Sequence, residues 1–185
     1  MSTPNFPIDF NAIRIALVRE MERVTKTTVI MAEQQTQDVP RPCKPYFSYK
    51  TLNPADKSGD DSHEWIGDTH NVGGQRRMTI SFNCYGNSKE EAYNYMSLWQ
   101  QSLELWTVQE NLRKAGIAVW LIGSVADLTE LMNTGYEGRS QMDVSFGIAF
   151  NLSESMTTIE KVEAEATIKT GDQTITEEIV IPEEE

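Results

Sequence analysis

Arg77-Met78-Thr79-Ile80-Ser81-Phe82-Asn83-Cys84-Tyr85-Gly86-Asn87-Ser88-Lys89-Glu90-Glu91-Ala92 contains the change of period on which the fold turns. Met78, Ile80, Phe82 and Cys84 alternate with Arg77, Thr79, Ser81 and Asn83, the two-residue repeat of a strand with one apolar face. Gly86-Asn87 ends that repeat. Ser88-Lys89-Glu90-Glu91 is a capping box, in which a Ser hydroxyl accepts from the amide three residues on and the Glu reaches back. The spacing beyond it predicts one long helix to about Ala115, stopped by Gly116. Ala92, Met96, Trp99, Leu103 and Trp106 form one stripe of that helix, and Tyr95, Leu98, Leu105 and Leu112 a second.

Upstream, Phe10, Ile13, Leu17, Met21 and Val24 recur at helical steps behind an Asp9 cap. Thr27-Thr28-Val29-Ile30 reads as a short strand, and the proline-led Tyr46 to Leu52 as another. Asn53 to Gly74, rich in Asp, Gly, Ser and Asn, reads as a long polar loop. Downstream, Ile117 to Ile122 is apolar throughout and predicts a central strand. Val125 to Met132 predicts a short helix capped by Ser124. Met142, Val144, Phe146, Ile148 and Phe150 alternate with Gln141, Asp143 and Ser145 in a further strand. The order predicts an α+β fold, with a mostly antiparallel sheet and two main helices packed on it.

The 185 residues carry a net charge of −12 and are 39% hydrophobic, enough for one core. Residues 151–185 hold ten acidic residues against two lysines, and residues 1–150 eighteen against fourteen basic ones. A near-balanced body over 1–150 and an acidic extension over 151–185 are therefore expected. In the extension, β-branched and charged residues alternate on both sides of Thr170-Gly171-Asp172-Gln173, a hairpin signal. The acidic balance argues against a basic nucleic-acid binder. No apolar run reaches the roughly 18 residues of a membrane span, and a signal-peptide layout is missing.

Cys43 and Cys84 form no CxxC pair and read as small buried apolar residues, although a disulfide between them stays open. His63 and His70 stand among Asp60, Asp61, Glu64 and Asp68. His and carboxylate side chains suit zinc, but HExxH and EF-hand spacing are missing, so a solvated loop anchored by Trp65-Ile66 is preferred to a metal site. Gly73-Gly74 before Arg76-Arg77 lacks the phosphate-loop and dinucleotide patterns. No GxSxG occurs, and no carboxylate stands on a predicted core face. No enzyme activity, cofactor or metal is expected.

Taken together, several of these pieces resemble the bacteriophage tail terminators of the neck-terminator type. They are the early helix ending near Arg23, Pro45-Tyr46-Phe47-Ser48-Tyr49, the polar loop, Arg77 to Gly86, and the helix opening at Ser88. The closing strand Tyr136-Glu137-Gly138-Arg139-Ser140-Gln141-Met142-Asp143-Val144-Ser145-Phe146 completes the set. The resemblance covers about residues 8–150 and implies a virion structural protein, assembled in the host cytoplasm, that caps the tail tube. As implied, a hexameric ring ends tail polymerisation and joins the tail to the head-side connector. Its implied partners are further copies of the chain, the tail tube protein, connector or neck proteins, and a sheath protein where the tail has one. DNA passes through without specific binding, and no membrane is involved.

Arg76, Arg77, Arg139 and Trp65 are the candidate subunit or tail contacts. Asp60, Asp61, Asp68, Glu177 and Glu178 are the candidate lumen or partner-facing acids. Another neck component, a connector or tail completion protein, is the first alternative. A small metal-dependent hydrolase using the His63–His70 segment is the second.

Overall fold

The computed structural model describes residues 7–33, 40–132, 135–155, 162–170 and 173–181. The elements are α1 (Phe10–Thr25), β1 (Thr28–Met31), β2 (Tyr46–Ile66), β3 (Thr69–Gly86), α2 (Lys89–Ser102) and α3 (Trp106–Lys114), followed by β4 (Ile117–Ile122), β5 (Ala126–Asp127), β6 (Glu130–Met132), β7 (Gly135–Ser155), β8 (Val162–Thr170) and β9 (Gln173–Ile181). The main sheet runs β1-β2-β3-β7-β4, with β5 and β6 also paired to β7. β1 joins β2 in parallel, while β4, β5 and β6 meet β7 antiparallel. The fold is α+β with a mostly antiparallel sheet, as the periodicities predict.

Compactness divides the chain into two units. The first comprises residues 1–62 and 72–152, and the second residues 63–71 and 153–185.

In the first unit, Asp9 caps α1 by accepting from the amides of Asn11 and Ala12 at 3.0 and 2.9 Å. Ile13, Leu17 and Met21 of α1 enter one core with Met78, Ile80, Phe82 and Cys84 of β3 and Met142, Val144, Phe146 and Ile148 of β7. Trp99 of α2, fully buried, meets the Phe82 ring edge-on at 5.8 Å. The opposite face of the sheet is knitted by short polar side chains. Thr79 pairs with Ser145 across β3 and β7, and Gln141 Nε2 donates to Ser81 Oγ at 2.9 Å.

Five sequence expectations are corrected. First, Asn53 to Gly74 is mostly strand: β2 and β3 continue through it and join at a two-residue turn, Gly67-Asp68, with Gly67 at φ +58°. Polar residues on both faces hide a strand whose ladder is made by backbone groups. Second, the long helix breaks after Ser102, whose hydroxyl donates to the Trp99 carbonyl at 2.7 Å. Leu103 to Leu105 then close tighter three-residue turns, and Gln109 Nε2 caps the Leu103 carbonyl at 3.0 Å. The break resets the helical phase. Leu103, Val108 and Leu112 are buried, whereas Trp106 is 69% exposed.

Third, Val125 to Met132 holds two short strands, β5 and β6, because β7 supplies their ladder from Ala126↔Gln141 to Met132↔Gly135. Fourth, β4 ends the strand order, so the all-apolar run is an edge strand. Its ladder shifts between Val119 and Leu121, leaving Trp120 as a bulge whose indole lies over Gly147. Cys43 likewise departs from expectation: it is exposed, since it precedes β2, while Cys84 is buried, and both thiols are free.

In the second unit, β8 and β9 pair antiparallel from Val162↔Ile181 to Thr170↔Gln173, the hairpin expected of the acidic extension. Gly171 and Asp172 of its expected turn lie outside the described residues.

Candidate interaction surfaces

The double glycine ahead of Arg76 has a structural use. A Cβ on Gly74 would collide with the Asp61 carboxylate and crowd the Phe150 ring. Its absence lets Arg76 of β3 reach across to Asp61 of β2 with two hydrogen bonds, at 2.7 and 3.1 Å. The same guanidinium lies over Phe150 of β7, 4.0 Å from the ring centroid. Lys57 approaches the other side of Asp61 at 3.1 Å. These bonds to Arg76, partly opposed by burial and reinforced by Lys57, pull the Asp61 carboxyl down to about 2.

Arg139 is held in the same internal manner. Its Nε and Nη2 donate to Asn83 Oδ1 at 3.3 and 3.0 Å, and it stands 5.5 Å from the Tyr85 ring centroid. Tyr85 stacks in turn on Tyr46 at 4.8 Å. Arg77 is less engaged, half-exposed and 3.7 Å from Asp56. Asp60 is exposed on β2.

A third internal pair lies at the start of α2. Lys89 bonds Asp127 at 2.6 Å, and Thr129 donates to the same carboxylate from its hydroxyl and its amide. Those bonds bring the Asp127 carboxyl to about 2, Lys89 contributing most.

The second unit brings both histidines together. His63 Nδ1 and His70 Nε2 are 3.2 Å apart, and His70 Nδ1 is 3.0 Å from Glu154 Oε1. The imidazole rings are nearly parallel, with centroids 5.4 Å apart, so their nitrogens meet ring edge to ring edge. One nitrogen donates and the other accepts in such a contact. A metal ion would need both lone pairs to converge on it. Here the two facing nitrogens share one hydrogen between them in a relay that ends at Glu154, and no group of three or more potential ligands gathers among the described residues. Trp65 stacks on His70 at 4.5 Å yet stays 58% exposed. Asp68 is exposed at the turn. Glu177 and Glu178 lie on β9 opposite Ala166 and Glu165.

Arg76, a candidate contact, and Asp61, a candidate lumen acid, are thus partners of each other. Trp65 stacks on His70, while Arg77 and Arg139 make separate local contacts. Two surfaces escaped the sequence reading. The β4 edge shows Trp120 and Leu121, 40% and 67% exposed. A groove between α1 and the face of the sheet has about 420 Å³ of room, running under Phe10 and Arg14 from Met31 of β1 across Tyr49 of β2 to Met78 and Ile80 of β3. It shares Arg14, Met31 and Tyr49 with a hollow of about 320 Å³ that reaches Ile15 and Arg19. The partial signal for the groove is Phe10, an apolar residue at the helix start whose expected burial is not realised.

The buried Cys84 thiol is pushed up to about 12, chiefly by burial, the opposite of what nucleophilic attack requires. No described helix is long and apolar enough to cross a membrane. The structure is an α+β fold whose strand order ends at β1 and β4, with apolar side chains exposed beside both. The chain belongs to the phage neck terminator protein family, whose model matches residues 15–172. That match passes beyond the body that carries the sequence resemblance and through β8, ending before β9. A search of curated proteins found no match. The family is structural, and membership associates the chain with the neck and tail proteins of a bacteriophage.

Proposed function

We propose that copies of this chain close into a ring on the end of the phage tail tube, stop its polymerisation and join it to the head-side connector. The observation that carries this reading is the family match over residues 15–172, and the open sheet supports it. A cyclic ring uses one heterologous interface, so each subunit needs two different complementary surfaces. Here the two ends of the strand order differ. One is the short parallel strand β1 and the other the apolar, bulged β4. Unpaired edges of this kind accept strands from a neighbour. Six subunits, tail tube and connector partners, a sheath where one exists, and a place in the virion neck after assembly in the host cytoplasm complete the reading.

Within it, residues 1–150 act as the body and 151–185 as an extension. Arg77, Arg139 and Trp65 contribute contacts at rims, and Arg76 shapes its strand through Asp61. The role is structural, without catalysis. Asp60, Asp68, Glu177 and Glu178 keep the surface soluble, and where they face a channel they repel DNA phosphates.

Native mass spectrometry and negative-stain imaging of the purified chain test the ring. Closed rings of about six copies are expected, and monomers alone, even beside tail tubes, would sink the proposal. Lysates lacking the protein should contain overlong or headless tails. Tails of normal length left unattached would instead favour a connector role.

A further inference from the structure

We infer that the groove between α1 and β1 receives the β8–β9 ribbon of a second copy of this chain, added as strands beside the open edge of β1. This inference rests on the ring reading and supplies it with a donor and an acceptor. The acceptor combines three properties in one place. Among the described residues, β1 has no strand partner except β2. The groove beside it is walled by large apolar side chains that stay open to solvent: Phe10 is 44%, Ile15 36% and Met31 38% exposed. Arg14 and Arg19 stand in the same wall, and neither forms an ion pair among the described residues. Asp9, at the far end, is occupied as the α1 cap.

The donor has the complementary features. β8 and β9 form a two-stranded sheet of their own, an arrangement that is marginal in water without a further surface. On one face of their ladder Val162↔Ile181, Ala164↔Ile179 and Ile168↔Ile175 are apolar on both strands, interrupted by Ala166↔Glu177. The intervening rungs are mixed, with acids at Glu163↔Val180 and Glu165↔Glu178 and polar residues at Thr167↔Thr176 and Lys169↔Thr174. The Val29 amide of β1 already donates to Glu22 Oε1 at 3.2 Å; strand addition satisfies the outward groups that remain, and the two-residue repeat sets the mostly apolar rungs against an apolar groove. The acids of the ribbon meet a wall in which Arg14 and Arg19 form no ion pair among the described residues and Glu22 is occupied by the Val29 amide, and that complementarity fixes the register more than it adds affinity.

The test uses the full chain with Cys43→Ser, since Cys84 is buried. Chains bearing Met31→Cys and chains bearing Ile179→Cys are mixed, assembled and oxidised, then examined by non-reducing gel and native mass spectrometry. A disulfide joining one chain of each kind, inside closed rings, is the expected result. Closed rings without that disulfide would overturn the ribbon inference and leave the ring reading standing. Monomers without it would overturn both. A disulfide formed within a chain carrying both substitutions, but never between the mixed chains, would show that the ribbon serves its own subunit and overturn the inference. As a second arm, Arg14→Glu with Arg19→Glu should reduce assembly at least tenfold while circular dichroism stays unchanged, and Glu177→Lys with Glu178→Lys should restore it. Undiminished assembly of the arginine variant would also overturn the proposal.

Discussion

Asp61 shows how one side chain ties three strands together. It accepts from Arg76, is approached by Lys57, and through Arg76 reaches the Phe150 ring. Its carboxyl lies at about 2, below the ordinary 3.8. A value depressed in the folded state stabilises the fold above the unfolded-chain value and stops doing so as pH falls through the folded one. Asp61→Asn should therefore lower the melting temperature at neutral pH, and its deficit should shrink as the pH is taken from 3.8 to about 2. A deficit independent of pH in thermal scans would contradict this account. Asp127, at about 2 beside Lys89, should behave likewise. The cysteines give a second residue-scale prediction. Iodoacetamide should label exposed Cys43 in the native protein and spare Cys84, whose thiol is pushed up to about 12, until the chain unfolds. Peptide mass mapping reads the outcome.

The elements depend on close approaches that composition conceals. Gly138 of β7 lies against the start of α2, where an added Cβ would strike the Ser88 carbonyl and the Lys89 amide. Backbone cannot give way as a flexible side chain can. Gly138→Ala should cost about 1–3 kcal/mol or more by denaturant unfolding. The α2–α3 break makes a sharper contrast between two tryptophans. Trp99→Ala empties a fully buried site and should cost about 3–5 kcal/mol. Trp106→Ala, on a residue 69% exposed with Arg113 5.4 Å from its ring, should cost under about 1 kcal/mol. Equal losses would mean that the helix runs unbroken, as its stripe of residues predicts. Ser88 behaves at this scale as its motif foretells, since it accepts from the Glu91 amide at 3.1 Å. The return bond differs by one residue: Glu91 reaches the Asn87 amide.

At the scale of the whole molecule, the open edges matter more than any single cluster. An edge strand that exposes Trp120 and Leu121 is a liability for a lone subunit and an asset for an assembling one. Leu121→Lys should leave thermal unfolding of the single chain within about 0.5 kcal/mol, as for other surface changes. If β4 takes part in the ring, that variant should assemble poorly in native mass spectrometry. Unimpaired assembly would remove β4 from the interface and leave the β1 groove as its remaining strand edge. The acidic balance also acts at this scale. Most of the net charge of −12 belongs to residues 151–185, so it describes the extension more than the body.

Short-range patterns determined much of this protein. The α1 face, the β3 and β7 alternations, the Ser88 cap, the Gly116 stop and the β8–β9 hairpin all follow from period and capping chemistry. Together they carry the α+β class and the family resemblance. Tertiary structure alone decided what depends on a distant partner. Polar Asn53 to Gly74 is strand because neighbouring backbones supply its ladder, and Ala126 to Met132 is strand because β7 does. Apolar β4 lies at an edge because strand order is a property of the assembled sheet. Arg76 meets Asp61, and His70 meets Glu154, across sequence separations of 15 and 84 residues, distances that local periodicity does not encode.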